Sequence, residues 1–218
     1  MPTILRNRLP ALGPDKGTVP FSGGARTKYK GVASLYLKGC DPFLKRVAFP
    51  LMKRRIRGFP PIAGRSPRVL VLGSMPGVAS LAAGEYYAHP RNHFWPIAGE
   101  ILGFDPATSY ARRRAAIETS RVAVWDVLGS CVRPGSLDSS IRDDSIVVND
   151  FVAFLAKHRR IERVCFNGGM AEKTWRRHVL HDLPAVRQLD YRLLPSTSPA
   201  HAGMGYRDKL RIWRKALA

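Results

Sequence analysis

The chain has 218 residues, 45% of them hydrophobic, enough for one substantial core, and its formal net charge is +20 from 36 basic against 16 acidic residues. No apolar run approaches the ~20 residues of a membrane span. Three distant cysteines, Cys40, Cys131 and Cys165, exclude a disulfide framework, a C-x-x-C pair and a four-thiolate cluster. Such a charge predicts attraction to a polyanion, either nucleic acid or an anionic membrane surface, and a soluble protein in a reducing, intracellular compartment with no metal or cofactor is expected.

Residues 1–58 show no sustained hydrophobic period, many Gly and Pro, and the run Lys53-Arg54-Arg55-Ile56-Arg57. They read as a basic, flexible N-terminal extension; residues 1–66 carry +12 of the net charge. The acid-poor start has the composition of a transit peptide, but Pro2, Pro10, Pro14, Pro20 and Gly23-Gly24 interrupt any amphipathic helix, so organellar targeting stays an open alternative. From about Phe59 the pattern changes. Arg68-Val69-Leu70-Val71-Leu72-Gly73 is a continuous apolar run ending in glycine, as a buried parallel strand is.

Further strands are predicted at Val122–Trp125, Arg163–Phe166 and Leu189–Leu194. Helical spacing marks Phe94/Trp95/Ala98/Ile101/Leu102, then Phe151/Phe154/Leu155/His158 after a cap at Asn149, then Ala171/Trp175/Val179 and Tyr206/Leu210/Trp213/Leu217. Strands alternating with helices predict an α/β fold, a three-layer α/β/α sandwich around a mostly parallel four-stranded sheet. The segments following the strands are polar and rich in Gly, Pro and Ser: "GSMPG" (73–77), "DVLGSCVRPGSLD" (126–138), "NGG" (167–169) and "PSTSPAH" (195–201). In an open parallel sheet they all emerge along the carboxyl edge, where ligands bind, and so imply one cleft.

"GSMPG" lets backbone N–H groups approach a ligand or makes a tight turn; it is neither a Walker loop nor G-x-G-x-x-G. "YYAHPRNHFWPI" (86–97) concentrates rings and hydrogen-bonding groups fit for a planar, polar guest. With "VWDVLGSCVRPGSLDSSI" and "LPSTSPAHA", these motifs resemble the uracil-DNA glycosylase superfamily over about residues 59–218, most closely its hypoxanthine-DNA glycosylase branch, and also its mismatch-specific and thymine-DNA branches.

The resemblance implies a monofunctional DNA glycosylase hydrolysing the N-glycosidic bond of deaminated bases, hypoxanthine first and uracil second, in base excision repair. It implies DNA containing such bases as partner, and a cytoplasmic, nucleoid-associated monomer. The motifs contain no lysine to form a Schiff base. Asn92 and His201 are the implied catalytic residues, Asn92 for water and His201 for the departing base. Asp126, Tyr87, Ser74, Met75 and Phe94 are the implied base-recognition set, Asp126 standing where other branches carry a base-reading Asn. Gly77, Ser196, Thr197, Ser198, Arg133 and Ser136 are the implied DNA contacts. Met75 departs from the superfamily, which commonly places a water-activating Asp or Asn there.

Plainer readings compete. Asn92 caps a helix with Phe94 in the core behind it, Tyr87 packs under its loop, and Asp126 caps the turn at Gly129-Ser130. "PSTSPAH" is an ordinary turn, Arg133 pairs with Asp138 rather than a phosphate, and the clusters Arg112–Arg114, Arg159-Arg160 and Arg176-Arg177 are solvated helix faces. A non-catalytic lesion-binding module and a small-nucleotide hydrolase are the rival functions.

Overall fold

A computed structural model of the chain describes residues 55–183 and 188–217. The remainder of the basic extension, residues 1–54, lies outside the described residues. Arg55–Arg57, at the end of the expected extension, forms β1, with Ile56 buried, because this alternating polar-apolar-polar triplet adds to the edge of a sheet. β1 pairs antiparallel with β4 (Leu128–Val132), which pairs on its other side with the short β5 (Val147–Val148). The "DVLGSCV" segment, expected as loop, is therefore largely strand. Its Leu128 and Cys131 join Ile56 and Met75 in a small apolar cluster of their own.

The main sheet is parallel throughout, in the order β3 (Val122–Asp126), β2 (Val69–Gly73), β6 (Arg163–Asn167), β7 (Asp190–Leu194). Every residue of β2 and β3 is buried, which explains the unbroken apolar runs: both faces of the sheet are covered. Ile62 bonds in both directions with Val124, at 2.9 and 2.8 Å, and so closes the outer edge of β3.

One face carries α2 (Phe94–Leu102), α3 (Tyr110–Thr119) and α6 (Tyr206–Leu217); Phe94 meets Trp213 and Trp95 meets Tyr110 edge to face. The other carries α4 (Phe151–Lys157) and α5 (Gly169–His178), where Phe151 lies between Trp125 and Trp175. These are the three expected layers. The short α1 (Val78–Ala83) and α3 had no legible period; α3 buries only Ile117. The cap of α4 is Asp150, which accepts from Ala153 N, one residue beyond the predicted Asn149. The Asn149 side chain instead donates to Asp126 O at 2.8 Å, tying α4 to the end of β3.

Candidate active site

Four strand ends gather the site. Gly73 ends β2 and stands in register with Asp126 at the end of β3. A Cβ on Gly73 would lie 2.3 Å from Asp126 Oδ1 and 3.0 Å from the Tyr87 hydroxyl, so glycine is required for these two groups to converge over the strand end. Asp126 is 2% exposed, and its Oδ2 has no hydrogen-bond partner; neither does the buried Tyr87 hydroxyl. Burial, with Asp138 adding to it and Arg133 opposing, pushes the Asp126 carboxyl up to about 7. Burial first, then the nearby Asp126, also raises the Tyr87 phenol, with the neighbouring Asn167 side chain opposing them, and the phenol stays neutral.

Tyr87 adopts φ 54°, the only left-handed non-glycine among the described residues. Such a conformation costs about 1–2 kcal/mol. Its ring stacks on Phe94 with centroids 4.0 Å apart. Phe94, 2% exposed, lies in the core behind that ring, which covers the face expected to meet a base. The Asn92 Oδ1 accepts from Phe94 N at 2.9 Å, a local bond just ahead of α2, whose N-cap is His93. The amide nitrogen of Asn92 is not committed by this bond.

Met75 is likewise turned away. It packs with Ile56, Leu128 and Cys131, so the third position of the first motif points into an apolar cluster. Beside it, the Ser74 hydroxyl donates to Asp138 Oδ2 at 2.7 Å, and Arg133 approaches Asp138 Oδ1 at 3.5 Å. The Asp138 side chain is 34% exposed. Burial raises its carboxyl above the ordinary range, while the bond from Ser74 and the charge of Arg133 pull it back.

Two expected DNA contacts prove internal. Arg133 is 1% exposed; its guanidinium donates to the carbonyls of Gly135 (3.0 Å), Met75 (3.5 Å) and Pro76. It clamps the first motif from within, its guanidinium turned to those carbonyls rather than to the surface. Thr197 is fully buried: it donates N–H to Asn167 Oδ1 at 2.8 Å, accepts from Asn167 Nδ2 at 2.9 Å, and its carbonyl accepts from His93 N at 3.0 Å. Gly77 has an ordinary φ of −72°, and Ser136 Oγ accepts from Val78 N at 2.9 Å, closing the first turn of α1. Ser196 and Ser198 accept from the backbone N–H two residues on, which shapes the loop beyond β7 and keeps both hydroxyls half-buried at its surface.

His201 is exposed. Its carbonyl, rather than its ring, is engaged, by Lys209 Nζ at 2.8 Å. Lys209 is a buried lysine on α6, with its ammonium pKa lowered by that burial. It braces the serine-rich loop and lies near His93, whose imidazole is held below its ordinary pKa first by burial and then by Lys209. Sequence reasoning assigned no role to Asn167, Lys209 or His93, and left Asp138 as a mere ion-pair partner. "NGG" marked Asn167 as a strand exit; Gly168 beside it, at φ 99°, lets the chain turn there close to Ser196. Nothing in the helical pattern distinguished Lys209.

Parallel strands bring a Gly-rich turn, a stacked aromatic pair and an unsatisfied buried carboxyl together at the carboxyl edge, which defines the class of open α/β folds that bind a ligand there. The model of the uracil DNA glycosylase superfamily matches residues 60–217, and the chain belongs to that superfamily. A hypoxanthine DNA glycosylase of Methanosarcina acetivorans is 32% identical over 148 residues, 66% of this chain and 87% of that protein. One of Methanosarcina barkeri is 35% identical over 113 residues, 51% of this chain and 70% of that protein. The solution NMR structure of a Methanosarcina acetivorans protein, described as a candidate uracil DNA glycosylase, superposes with a TM-score of 0.59 at 27% identity, covering 75% of this chain and 99% of that one. Among the described residues no helix is long and apolar enough to cross a membrane.

Proposed function

We propose that this chain is a monofunctional DNA glycosylase that releases deaminated bases, hypoxanthine first and uracil second. The observation that carries this reading is the pair of unsatisfied groups over Gly73, the Asp126 carboxyl and the Tyr87 hydroxyl. Hypoxanthine presents N1–H beside the O6 carbonyl. An ionised Asp126 accepts from N1–H while the neutral Tyr87 hydroxyl donates to O6, and uracil offers the same pattern through N3–H and an adjacent carbonyl. Adenine offers a ring lone pair where hypoxanthine offers N1–H, and so leaves the ionised Asp126 carboxylate unpaired in a dry site. Both groups are closed to solvent, so a base reaches them when the Tyr87 ring shifts off Phe94 with its hydroxyl kept beside Asp126.

Hydrolysis breaks the bond between C1′ and the base nitrogen, the electron pair leaving with the base, and water adds to the sugar with loss of a proton. With Met75 in the apolar cluster, Asp138 is the carboxylate best disposed to take that proton. It is partly exposed, Ser74 ties it to the first motif, and Arg133 favours its ionised form. The free amide nitrogen of Asn92 donates to water or the departing base. Lys209, bonded to the His201 carbonyl, is engaged as a brace rather than as an amine nucleophile, consistent with hydrolysis that leaves an abasic site. Ser196 and Ser198 are the loop's phosphate donors.

The test is alkali-developed cleavage of oligonucleotides carrying hypoxanthine, uracil or adenine, with wild type, Asn92→Ala, Asp126→Ala and Asp138→Asn. Abasic sites from the first two substrates, and none from adenine, are expected. Stoichiometric binding without abasic sites on any substrate overturns the enzymatic reading; full activity in Asp138→Asn removes its assignment as base.

A further inference from the structure

The loops that enter the parallel sheet build a second feature at the opposite edge from the base site. Residues 65–68 lead into β2, 118–121 into β3, 159–162 into β6, and Gln188 lies just ahead of β7; they line an open trough of about 1200 Å³. Arg65, Arg68, Arg121, Arg159 and Arg160 stand in it against two carboxylates, Glu118 and Glu162. Those carboxylates are already engaged, Glu162 by Arg68 and Glu118 by Arg114 of α3, each at 3.1 Å. Among the described residues the other four arginines pair with no carboxylate, and all four are exposed.

Four like charges in one concavity repel each other and concentrate anions. Guanidinium groups suit phosphate oxygens in particular, because two parallel N–H bonds match two of them. The reacting strand cannot be the ligand. Five-residue strands rising ~3.3 Å per residue hold the two edges about 16 Å apart, facing opposite ways. A duplex bound at the carboxyl edge would have to fold back to reach the trough, and bending a 20–30 bp site by only 40–90° already costs on the order of 1–6 kcal/mol.

We propose that this amino-edge trough holds the phosphates of a second DNA segment, so that one molecule bridges two duplexes. One duplex presents a base to the Asp126 and Tyr87 groups; the other lies across Arg65, Arg121, Arg159 and Arg160. The proposal rests on DNA being the substrate, and its readout is separate from base release. A short lesion-containing duplex is anchored to beads and loaded with the full-length protein, and capture of a second, labelled, lesion-free duplex is measured across a salt series. Single-turnover excision of hypoxanthine is followed alongside.

Changing the four arginines together to glutamine is expected to lower capture at least ~10-fold and to flatten its log–log salt dependence by about 3 to 4, the loss of four phosphate contacts. Excision stays within about twofold of wild type, which also shows that the variant is folded. The four Arg→Lys changes retain capture, since counterion release follows charge. Capture unchanged in the glutamine variant overturns the proposal and makes an acidic polypeptide the better occupant. Excision and capture falling in parallel also overturns it, because one continuous surface would then serve both.

Discussion

Replacing Asp126 by Asn tests the centre of the site through stability rather than activity. In the unfolded chain the Asp126 carboxyl titrates near 3.8; in the folded chain burial moves it to about 7. Between those values the folded state binds more protons than the unfolded state, so stability falls as pH rises through the window from about 4 to 7. Three units at ~1.36 kcal/mol each make a loss of about 4 kcal/mol in wild type that Asp126→Asn does not suffer. For a domain of this size ~1 kcal/mol moves Tm by about 2–4 °C, so the loss spans roughly 8–16 °C. His89, His93 and His158 are all depressed below their ordinary pKa and act in the opposite direction, but equally in both chains. The measurement is therefore the Tm of Asp126→Asn minus that of wild type, from pH 4.5 to 8. It should climb with pH and level off above about 7. A flat difference would mean that the carboxyl is neither dry nor unpaired, and the recognition scheme built on it would fail.

The remaining expectations concern the loops around that carboxyl. Asp138→Asn should slow single-turnover base release ~10²- to 10⁴-fold, the usual contribution of a general base, while Kd for hypoxanthine-containing DNA, by fluorescence anisotropy, stays near wild type. Met75→Asp, which restores a common superfamily residue, should lower the denaturation midpoint and leave excision no faster, because the side chain enters the cluster of Ile56, Leu128 and Cys131. Arg133→Met strips three carbonyls and Asp138 of their shared donor; a loss of about 3–5 kcal/mol in chemical denaturation is expected. Asn167→Ala frees both polar groups of Thr197, at about 1–3 kcal/mol for each one left buried and unsatisfied, and should speed hydrogen exchange in the loop beyond β7.

The main sheet was legible because its central strands are buried on both faces, and Val69–Gly73 and Val122–Asp126 leave no polar residue to blur the run until their last positions. The second sheet was not. β4 carries Gly129 and Ser130 in its middle and pairs with a triplet from a charged stretch, so neither partner shows a strand pattern alone. For the site, strand exits located the right segments, since parallel topology fixes where they emerge. Side-chain direction was a different matter: whether Met75, Arg133 or Thr197 faces solvent or core depends on contacts from distant loops. Arg133 is the clearest instance, an arginine beside a Pro-Gly turn that reads as surface yet supplies the hydrogen bonds that shape the first motif. The burial of Phe94 was hidden for the opposite reason, its face being covered by a neighbour only seven residues earlier, Tyr87, in a conformation no propensity would assign.

The superfamily match begins at residue 60, but the fold begins earlier. A chain shortened to the matched region would lose β1 and uncover Leu128, Cys131 and Met75, leaving β4, whose far end leads to Arg133 and Asp138, with one bare flank. Anything that grips the chain at Arg55 consequently has a direct mechanical hold on the strand that leads to Arg133 and Asp138, so truncation and N-terminal tethering are interventions on the site itself.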